Sequence, residues 1–237
     1  MGPVQPAELA DAVWGLVSRP DLGHTVRGIL SEAREHTAAA GVGVFRRRAG
    51  AVVEIAGTSA EHVRRADELQ LQCGEGPCLA AALTNHTHRV DDLEADRQWP
   101  GWSATAVDLG WRSILSLPLV SGDACLGALN LYSDRRARFG ADEVLAAELF
   151  ARHASVALAL RFAEERLREE MRDQHLLGLA QGVLMERYRI TAAQAIQLIK
   201  HHASQGDESP CRLAEHIVRS RKLPGTDSQR RQPQPAS

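Results

Sequence analysis

The sequence predicts an α+β domain in which helices flank an antiparallel sheet, followed by a long connecting helix and an all-α bundle of three helices. Two patterns carry this prediction. The strand-like runs of alternating apolar residues all lie before residue 134, whereas a helical period dominates from residue 141 onward. A length of 237 residues also exceeds that of a typical single domain. We therefore expect two folded parts joined by a helix.

The first part consists of helices and two pairs of strands. The stronger pair is Trp111–Val120 with Ala124–Ser133, joined by the turn sequence Ser121-Gly122-Asp123. The other expected elements are helices over 7–18 and 21–39, strands over 41–48 and 51–59 joined at Ala49-Gly50, helices over 60–69 and 76–83, a short strand over 88–90, an irregular segment over 91–102 and a brief helix over 103–109. From Ala141 a helix is expected to run unbroken to Glu186.

Residues 172–223 predict three short amphipathic helices with hardly any loop between them. Thr191 and Gln194 form a T-x-x-Q capping box at the start of the second helix. Ser209 and Pro210 supply an N-cap and a proline at the first position of the third. The first helix carries one apolar stripe of helical period, made of Leu176, Ala180, Val183 and Leu184. Helices this small can bury their apolar faces only against one another, so we expect a compact module.

The most specific segment of this module is AQGVLMERYRITAAQAIQLI, residues 180–199. It resembles the ANTAR family of bacterial RNA-binding antitermination domains, and the resemblance runs from about Leu167 to Arg221. Family positions that let the helices approach closely are matched by Ala180, Gly182 and Met185. The sequence departs from the family pattern at Gln181, Ile196 and Ser209-Pro210-Cys211. The resemblance implies binding of RNA with paired stem-loops, so that a terminator hairpin cannot form.

Exposed polar and basic side chains of this module are the candidate RNA contacts. Residues 187–222 hold seven Lys/Arg against three acidic residues, a local balance that suits phosphate contact although the whole chain has a net charge of −2. The resemblance implies that polar side chains read loop bases and basic ones hold stem phosphates. The candidates are Gln181, Arg187, Lys200, His201, Ser204 and Arg212. A DNA-binding regulator is the alternative, but the second helix lacks a clustered Arg/Asn face for reading base pairs.

Three segments of the first part occur in an informative order: QLQCGEGPCLAAALTNHTHRVDDL (70–93), GWRSILSLPL (110–119) and RFGADE (138–143). With the expected helices and hairpins, they resemble GAF sensor domains over about residues 20–160. The resemblance implies a pocket between the sheet and its covering helices and loops. The pocket candidates are Cys78, Trp99, Trp102, Leu115 and Leu117. The sequence has no cyclic-nucleotide signature and no obvious bilin-attachment cysteine, so it does not name the small molecule that such a pocket would hold.

The four cysteines bear on whether this protein is an enzyme. Cys73, Cys78, Cys125 and Cys211 form no C-x-x-C pair and have no histidine at zinc spacing, so we expect neither a metal nor another cofactor. Some GAF proteins reduce free methionine sulfoxide with cysteine thiols, and the first three cysteines allow that alternative. It requires a nucleophilic thiolate with a resolving thiol in reach, which the turn over 73–78 does not indicate. A non-enzymatic regulator with reduced, mostly buried thiols is therefore expected.

Four residues between the two parts are spaced as in a coiled coil. Val156, Leu160, Ala163 and Leu167 follow one another at intervals of 4, 3 and 4, and charged residues surround them. We expect this seam to form a homodimer, and a single helix packed on its own domain is the alternative. Pairing would hold two RNA-binding modules at a fixed separation.

These patterns also predict domain boundaries and location. We expect an N-terminal helix over 1–19, the sensor domain over 20–160, a connecting coiled coil over 156–175, the RNA-binding module over 167–223 and a disordered tail over 224–237. The sequence holds no run of about 18 apolar residues and starts without a basic, apolar leader. A cytoplasmic protein without a membrane span is therefore expected.

Overall fold

The computed structural model describes residues 15–37, 39–48 and 52–223. Their elements are, in chain order, α1 (Leu22–His36), β1 (Gly41–Arg47), β2 (Val53–Thr58), α2 (Glu61–Cys73), α3 (Pro77–Thr84), β3 (His88–Val90), α4 (Pro100–Asp108), β4 (Ser113–Ser121), β5 (Ala124–Ser133), α5 (Ala141–Tyr188), α6 (Ala192–Gln205) and α7 (Pro210–Ser220). The chain divides into two compact units, Met1–Ala163 and Glu164–Ser237.

The first unit is built on one antiparallel sheet of five strands in the order β2-β1-β5-β4-β3. β4 and β5 form its longest pair, from Ser113 opposite Ser133 to Ser121 opposite Ala124. Gly127 of β5 has φ 154°, and a Cβ there would overlap a backbone carbonyl oxygen of β1. Only glycine allows this close approach of the two strands. The predicted antiparallel sheet is confirmed.

Helices cover both faces of this sheet and make two separate cores. α1 and the first turns of α5 pack on one face, where Ile29, Phe150 and Leu158 are buried. α2, α3 and α4 pack on the other face, around Trp102 and Tyr132. Because successive side chains of a strand point to opposite faces, neighbouring residues of β4 and β5 belong to different cores.

Helix α4 differs from the sequence prediction, because it begins at Pro100, inside a segment expected to be irregular. Glu75, in the turn before α3, accepts at Oε1 from the backbone N–H groups of Gly101 (2.7 Å) and Trp102 (3.1 Å). These bonds satisfy donors that the first turn of a helix leaves unpaired. The capping carboxylate lies 26 positions from Gly101 in the sequence, so no local pattern could reveal it.

The other elements of the first unit lie close to their predicted positions. Helix α1 begins after Asp21, whose Oδ1 accepts from the His24 backbone N–H (2.8 Å). Of the helix expected over 7–18, only the end falls within the described residues, and 15–17 are helical. The predicted hairpin turn Ala49-Gly50 and the predicted disordered tail lie outside the described residues.

Helix α5 contains 48 residues without a break, as predicted, and its last turns join α6 and α7 in a three-helix module. The predicted capping box is present: the Gln194 N–H donates to Thr191 Oγ1 (3.3 Å), and the Thr191 N–H donates to Gln194 Oε1 (2.9 Å). Ser209 caps α7 by accepting at Oγ from the Arg212 N–H (3.3 Å). Both helix starts are therefore encoded locally.

The module is held together by apolar side chains from all three helices: Ala180, Leu184, Ala195, Ile199, Ala203, Leu213, Ala214 and Ile217. The predicted compact bundle is confirmed. The expected packing role of Gly182 is wrong, because this residue is exposed and a Cβ there would meet no atom of the described residues within 4 Å. Met185 is also 37% exposed. Close helix packing rests instead on fully buried alanines such as Ala180 and Ala195.

Candidate functional site

The exposed face of α6 carries three of the predicted RNA contacts. Lys200, His201 and Ser204 are exposed, whereas Ala195 and Ile199 on the opposite side are buried in the module's core. The Ser204 hydroxyl donates to the carbonyl oxygen of His201 (2.8 Å), so it is held against its own helix. The exposed side of α6 therefore presents an ammonium group and an imidazole.

Arg212 lies exposed in the first turn of α7. With Glu208, Glu215, His216 and Arg219 it lines a shallow cavity of about 200 Å³. Arg219 pairs with Glu215 (2.7 Å between Nη2 and Oε1), but both side chains are mostly exposed and the pair is screened by solvent. His216 and Arg219 were not predicted as contacts, although their spacing of four and seven from Arg212 places them on the same helix face.

Gln181 and Arg187 make contacts within the module that the sequence did not predict. The Gln181 amide donates through Nε2 to the carbonyl oxygen of Ala192 (2.7 Å), at the start of α6. The Arg187 guanidinium donates through Nη1 to the carbonyl oxygen of Arg221 (3.0 Å), at the end of α7. An amide and a guanidinium each have further polar groups, so neither contact excludes a second one with RNA. Both residues therefore brace helix ends.

The five predicted pocket residues lie on opposite faces of the sheet. Cys78, Trp99 and Trp102 belong to the core beneath α2, α3 and α4, whereas Leu115 and Leu117 belong to the core beneath α1 and α5. The prediction that all five line one pocket is therefore wrong. Side chains of β4 alternate between faces, so its even-numbered residues point toward Cys78 instead. All five predicted residues are at most 7% exposed.

A cluster of buried polar side chains lies beside Cys78, which no local pattern predicted. At its centre Asp67 of α2 accepts at Oδ1 from the Tyr132 hydroxyl (2.6 Å) and the Asn130 amide (3.2 Å). The Gln70 amide donates to the Tyr132 hydroxyl (3.1 Å) and accepts at Oε1 from the Cys78 backbone N–H (2.9 Å). These five residues, the Asp67 cluster, are fully buried. In the sequence, this cluster is indicated only by Asn130, a polar residue inside the apolar strand β5.

Burial governs the protonation of the Asp67 cluster. It raises the pKa of Asp67 to about 7, against hydrogen bonds from Tyr132, Asn130 and Cys78 that lower this pKa. Burial also raises the pKa of the Cys78 thiol well above its usual range, and the neighbouring Asp67 carboxylate raises it further. Cys78 is therefore a protonated thiol sealed in the core, which is a poor nucleophile.

All four cysteines are free thiols, and they differ in exposure. Cys73 is exposed at the end of α2, and Cys125 is partly buried with its thiol against the Gly127 carbonyl oxygen (3.4 Å). No group of three or more His, Cys, Asp or Glu side chains among the described residues could hold a metal ion. The helices in that part of the chain also include none long and apolar enough to cross a membrane.

The residues of the predicted coiled-coil seam are exposed on α5. The exposed fractions are 58% for Val156, 48% for Leu160 and 55% for Leu167, and Ala163 is exposed as well. In the first unit the opposite side of α5 is buried on the sheet, as at Leu158. The first unit therefore leaves the aliphatic side chains of Val156 and Leu160 uncovered.

Comparison with known proteins identifies both units. The GAF domain family matches residues 20–159, and the ANTAR domain family matches residues 165–218. No protein with a curated description matches the chain. Among solved structures, the GAF domain of an Acinetobacter phosphoenolpyruvate-protein phosphotransferase has a TM-score of 0.57 at 11% identity, covering 70% of this chain and 99% of that one.

Two further solved structures share the fold. The GAF domain of a phosphoenolpyruvate-protein phosphotransferase from Coxiella burnetii has a TM-score of 0.54 at 16% identity, covering 67% of this chain and 94% of that one. The free methionine-R-sulfoxide reductase from Neisseria meningitidis, solved with its substrate, has a TM-score of 0.52 at 17% identity. This match covers 66% of this chain and 89% of the reductase chain. Identities this low show the fold alone. The chain belongs to the GAF domain family and carries an ANTAR domain after its GAF domain, the composition of an RNA-binding antitermination regulator with a sensory module.

Proposed function

We propose that this protein binds RNA carrying paired stem-loops through its ANTAR module and so keeps a terminator hairpin from forming. The observation that supports this most is that the module has an apolar core and a cationic surface. The apolar side chains between its three helices are buried in its own core, while α6 and α7 expose Lys200, His201 and Arg212. Cations held on short, capped helices are suited to the phosphates of an RNA stem.

The proposed contacts divide by chemistry. Lys200 and Arg212 would hold phosphates, and Arg212 does so beside a helix N-terminus that itself attracts anions. His201 and Ser204, next to Lys200 on α6, would contact loop nucleotides. Gln181 would reach a base edge with whichever polar atoms its bond to α6 leaves available. Arg187 would add a phosphate contact from the end of α5.

We also propose that α5 pairs with α5 of a second copy along Val156, Leu160, Ala163 and Leu167. Three of these are large aliphatic side chains that the chain itself leaves about half exposed. Burying them would contribute about 25 cal/mol for each Å² removed from water. A dimer carries two ANTAR modules, so binding of the second stem-loop follows the first as an intramolecular step. This favours RNA with two stem-loops over RNA with one.

We assign the GAF domain a sensory role and not a catalytic one. A thiol-dependent reductase needs an accessible thiolate, whereas Cys78 is fully buried and its thiol is held protonated. The similarity to a methionine sulfoxide reductase extends to the fold alone. A small molecule bound at the remaining pocket candidates would have to open the core around Trp99 and Trp102.

Titration of the full chain tests this function. One ligand is an RNA with two stem-loops, the second is the same RNA with one stem-loop unpaired by base changes, and the third is duplex DNA with the same number of phosphates. Equal charge at equal salt removes most non-specific attraction from the comparison. We expect the two-stem-loop RNA to bind most tightly. Equal affinity for all three would contradict the proposal, and a preference for the duplex would favour a DNA-binding regulator.

A further inference from the structure

The RNA-binding function leaves one buried acid unexplained. Asp67 is fully buried, and none of its hydrogen bonds within the described residues comes from Lys, Arg or His. Its Oδ1 accepts from Tyr132 and Asn130 and lies 3.8 Å from the Cys78 thiol, while Oδ2 is buried with no hydrogen-bond partner in the described part of the chain. An ionised carboxylate would therefore leave charge on an oxygen that no donor reaches, which is costly in a protein interior.

The partnerless oxygen packs against strand β1. A Cβ at Gly43 would overlap Asp67 Oδ2, so the carboxyl group occupies the space that a side chain of β1 would take. The next residue, Val44, points into the opposite core, to which α5 contributes. Farther along β1, the Arg46 guanidinium lies 4.2 Å from the centre of the Phe162 ring of α5. One strand thus connects Asp67 with the helix that continues into the ANTAR domain.

We propose that Asp67 is a proton sensor of the GAF domain: its protonated form holds α2 and α3 against β1, and loss of the proton loosens that packing. The inference rests on the proposed sensory role of this domain and names the signal as a change in pH. Burial raises the pKa of Asp67 to about 7, so both forms are populated around neutral pH. An acid with its ordinary pKa would be ionised throughout that range.

The groups that face Asp67 do not titrate in the same range. Burial and the nearby Asp67 charge raise the pKa of Tyr132 on β5 and of Cys78 on α3 well above their usual ranges, so both remain donors. The charge of Glu68, the next residue on α2, also raises the pKa of Asp67, and Glu68 pairs with Arg64 (3.1 Å between Nη1 and Oε1). Asn130 and the glycine of β1 carry no charge. Proton exchange in this cluster is therefore assigned to Asp67.

Infrared difference spectroscopy of the full chain tests this directly, because a protonated carboxyl has a C=O stretch that a carboxylate lacks. Spectra would be compared in steps from about pH 6 to about pH 9, above the range in which ordinary carboxyl groups titrate. We expect the band of one buried carboxyl to vanish with a midpoint near pH 7 and to be missing from Asp67→Asn. Asp108→Asn makes the same change at an exposed carboxylate at the end of α4, and it should keep the band.

Tyr132→Phe provides a second variant if Asp67→Asn does not fold. Its hydroxyl donates to the charged carboxylate, so removing it should raise the midpoint above that of the wild type. A wild type without the band, a band that persists in Asp67→Asn, or a midpoint that Tyr132→Phe leaves unchanged would overturn the proposal.

RNA affinity provides the functional readout. Between about pH 6 and about pH 8, the affinity of the wild type for the two-stem-loop RNA should change about fivefold or more, the lower end of ordinary coupling between sites. The affinity of Asp67→Asn should change less. A titrating band with equal pH dependence of RNA affinity in both proteins would show that the proton carries no signal. Loss of RNA binding in every protein, with the band intact, would instead count against the proposed function.

Discussion

Replacing Asp67 by asparagine should remove a large pH dependence of GAF domain stability between about pH 4 and about pH 7. The carboxyl has a pKa of about 7 in the folded protein and about 3.9 in an unfolded chain. Between these values the folded state keeps a proton that the unfolded state has released. Stability therefore falls as pH rises from about 4 and levels off above about 7. Three pKa units at 1.36 kcal/mol each give a loss of about 4 kcal/mol.

Urea unfolding followed by tryptophan fluorescence measures this loss. Three of the four tryptophans, Trp99, Trp102 and Trp111, belong to the GAF domain and none to the ANTAR domain, so the signal reports chiefly on the GAF domain. The asparagine amide beside Gly43 changes the free energy of unfolding by the same amount at every pH. The informative quantity is therefore the slope of the free energy of unfolding against pH. The wild type should lose about 4 kcal/mol more than Asp67→Asn between about pH 4 and about pH 8, and Asp108→Asn should follow the wild type. Parallel curves for wild type and Asp67→Asn would refute the reasoning.

Three further predictions concern assembly, thiols and the braced glutamine. Leu160→Glu combined with Leu167→Glu should shift the protein to monomer in sedimentation, since pairing would bury unpaired charge. An unchanged mass would contradict pairing along these residues. Cys73→Ser, which changes an exposed thiol outside the Asp67 cluster, should leave RNA affinity unaltered in reducing and oxidising buffers, and thiol-dependent turnover of methionine sulfoxide by the wild type would contradict the sensory role. Gln181→Ala should reduce discrimination between loop sequences more than affinity and cost about 1 kcal/mol of module stability, so unchanged selectivity and melting would count against both roles.

Features set by neighbouring residues were predictable from the sequence. The capping box of Thr191 and Gln194 spans four residues, and its two hydrogen bonds follow from that spacing alone. The hairpin of β4 and β5 is similarly local, since its turn joins two alternating strands. Helix α5 was predictable as one element because no proline interrupts its helical pattern between 141 and 188.

Features that depend on long-range contact were not predictable in this way. Tyr132 donates to a carboxylate 65 positions away, and neither residue carries a local sign of the other. The pocket prediction failed for a related reason. Alternation shows that Leu115 and Leu117 share a face of β4, but it does not show which helices cover that face. Gln181 was likewise predicted only as an RNA contact, because its bond to Ala192 depends on how the helices pack.

The salt dependence of RNA binding tests the central claim most directly, namely that α6 and α7 hold RNA phosphates. The full chain and the variants Lys200→Ala, Arg212→Ala and Arg34→Ala would be titrated with the two-stem-loop RNA at several salt concentrations. Arg34→Ala removes the same charge from an exposed site on the GAF domain, in the last turn of α1, and is the matched control. We expect Lys200→Ala and Arg212→Ala to bind more weakly and to lower the slope of log K against log salt by about 0.7 to 0.9 for each phosphate that the variant no longer neutralises, while Arg34→Ala follows the wild type. Wild-type affinity and slope in both variants would show that RNA is held elsewhere.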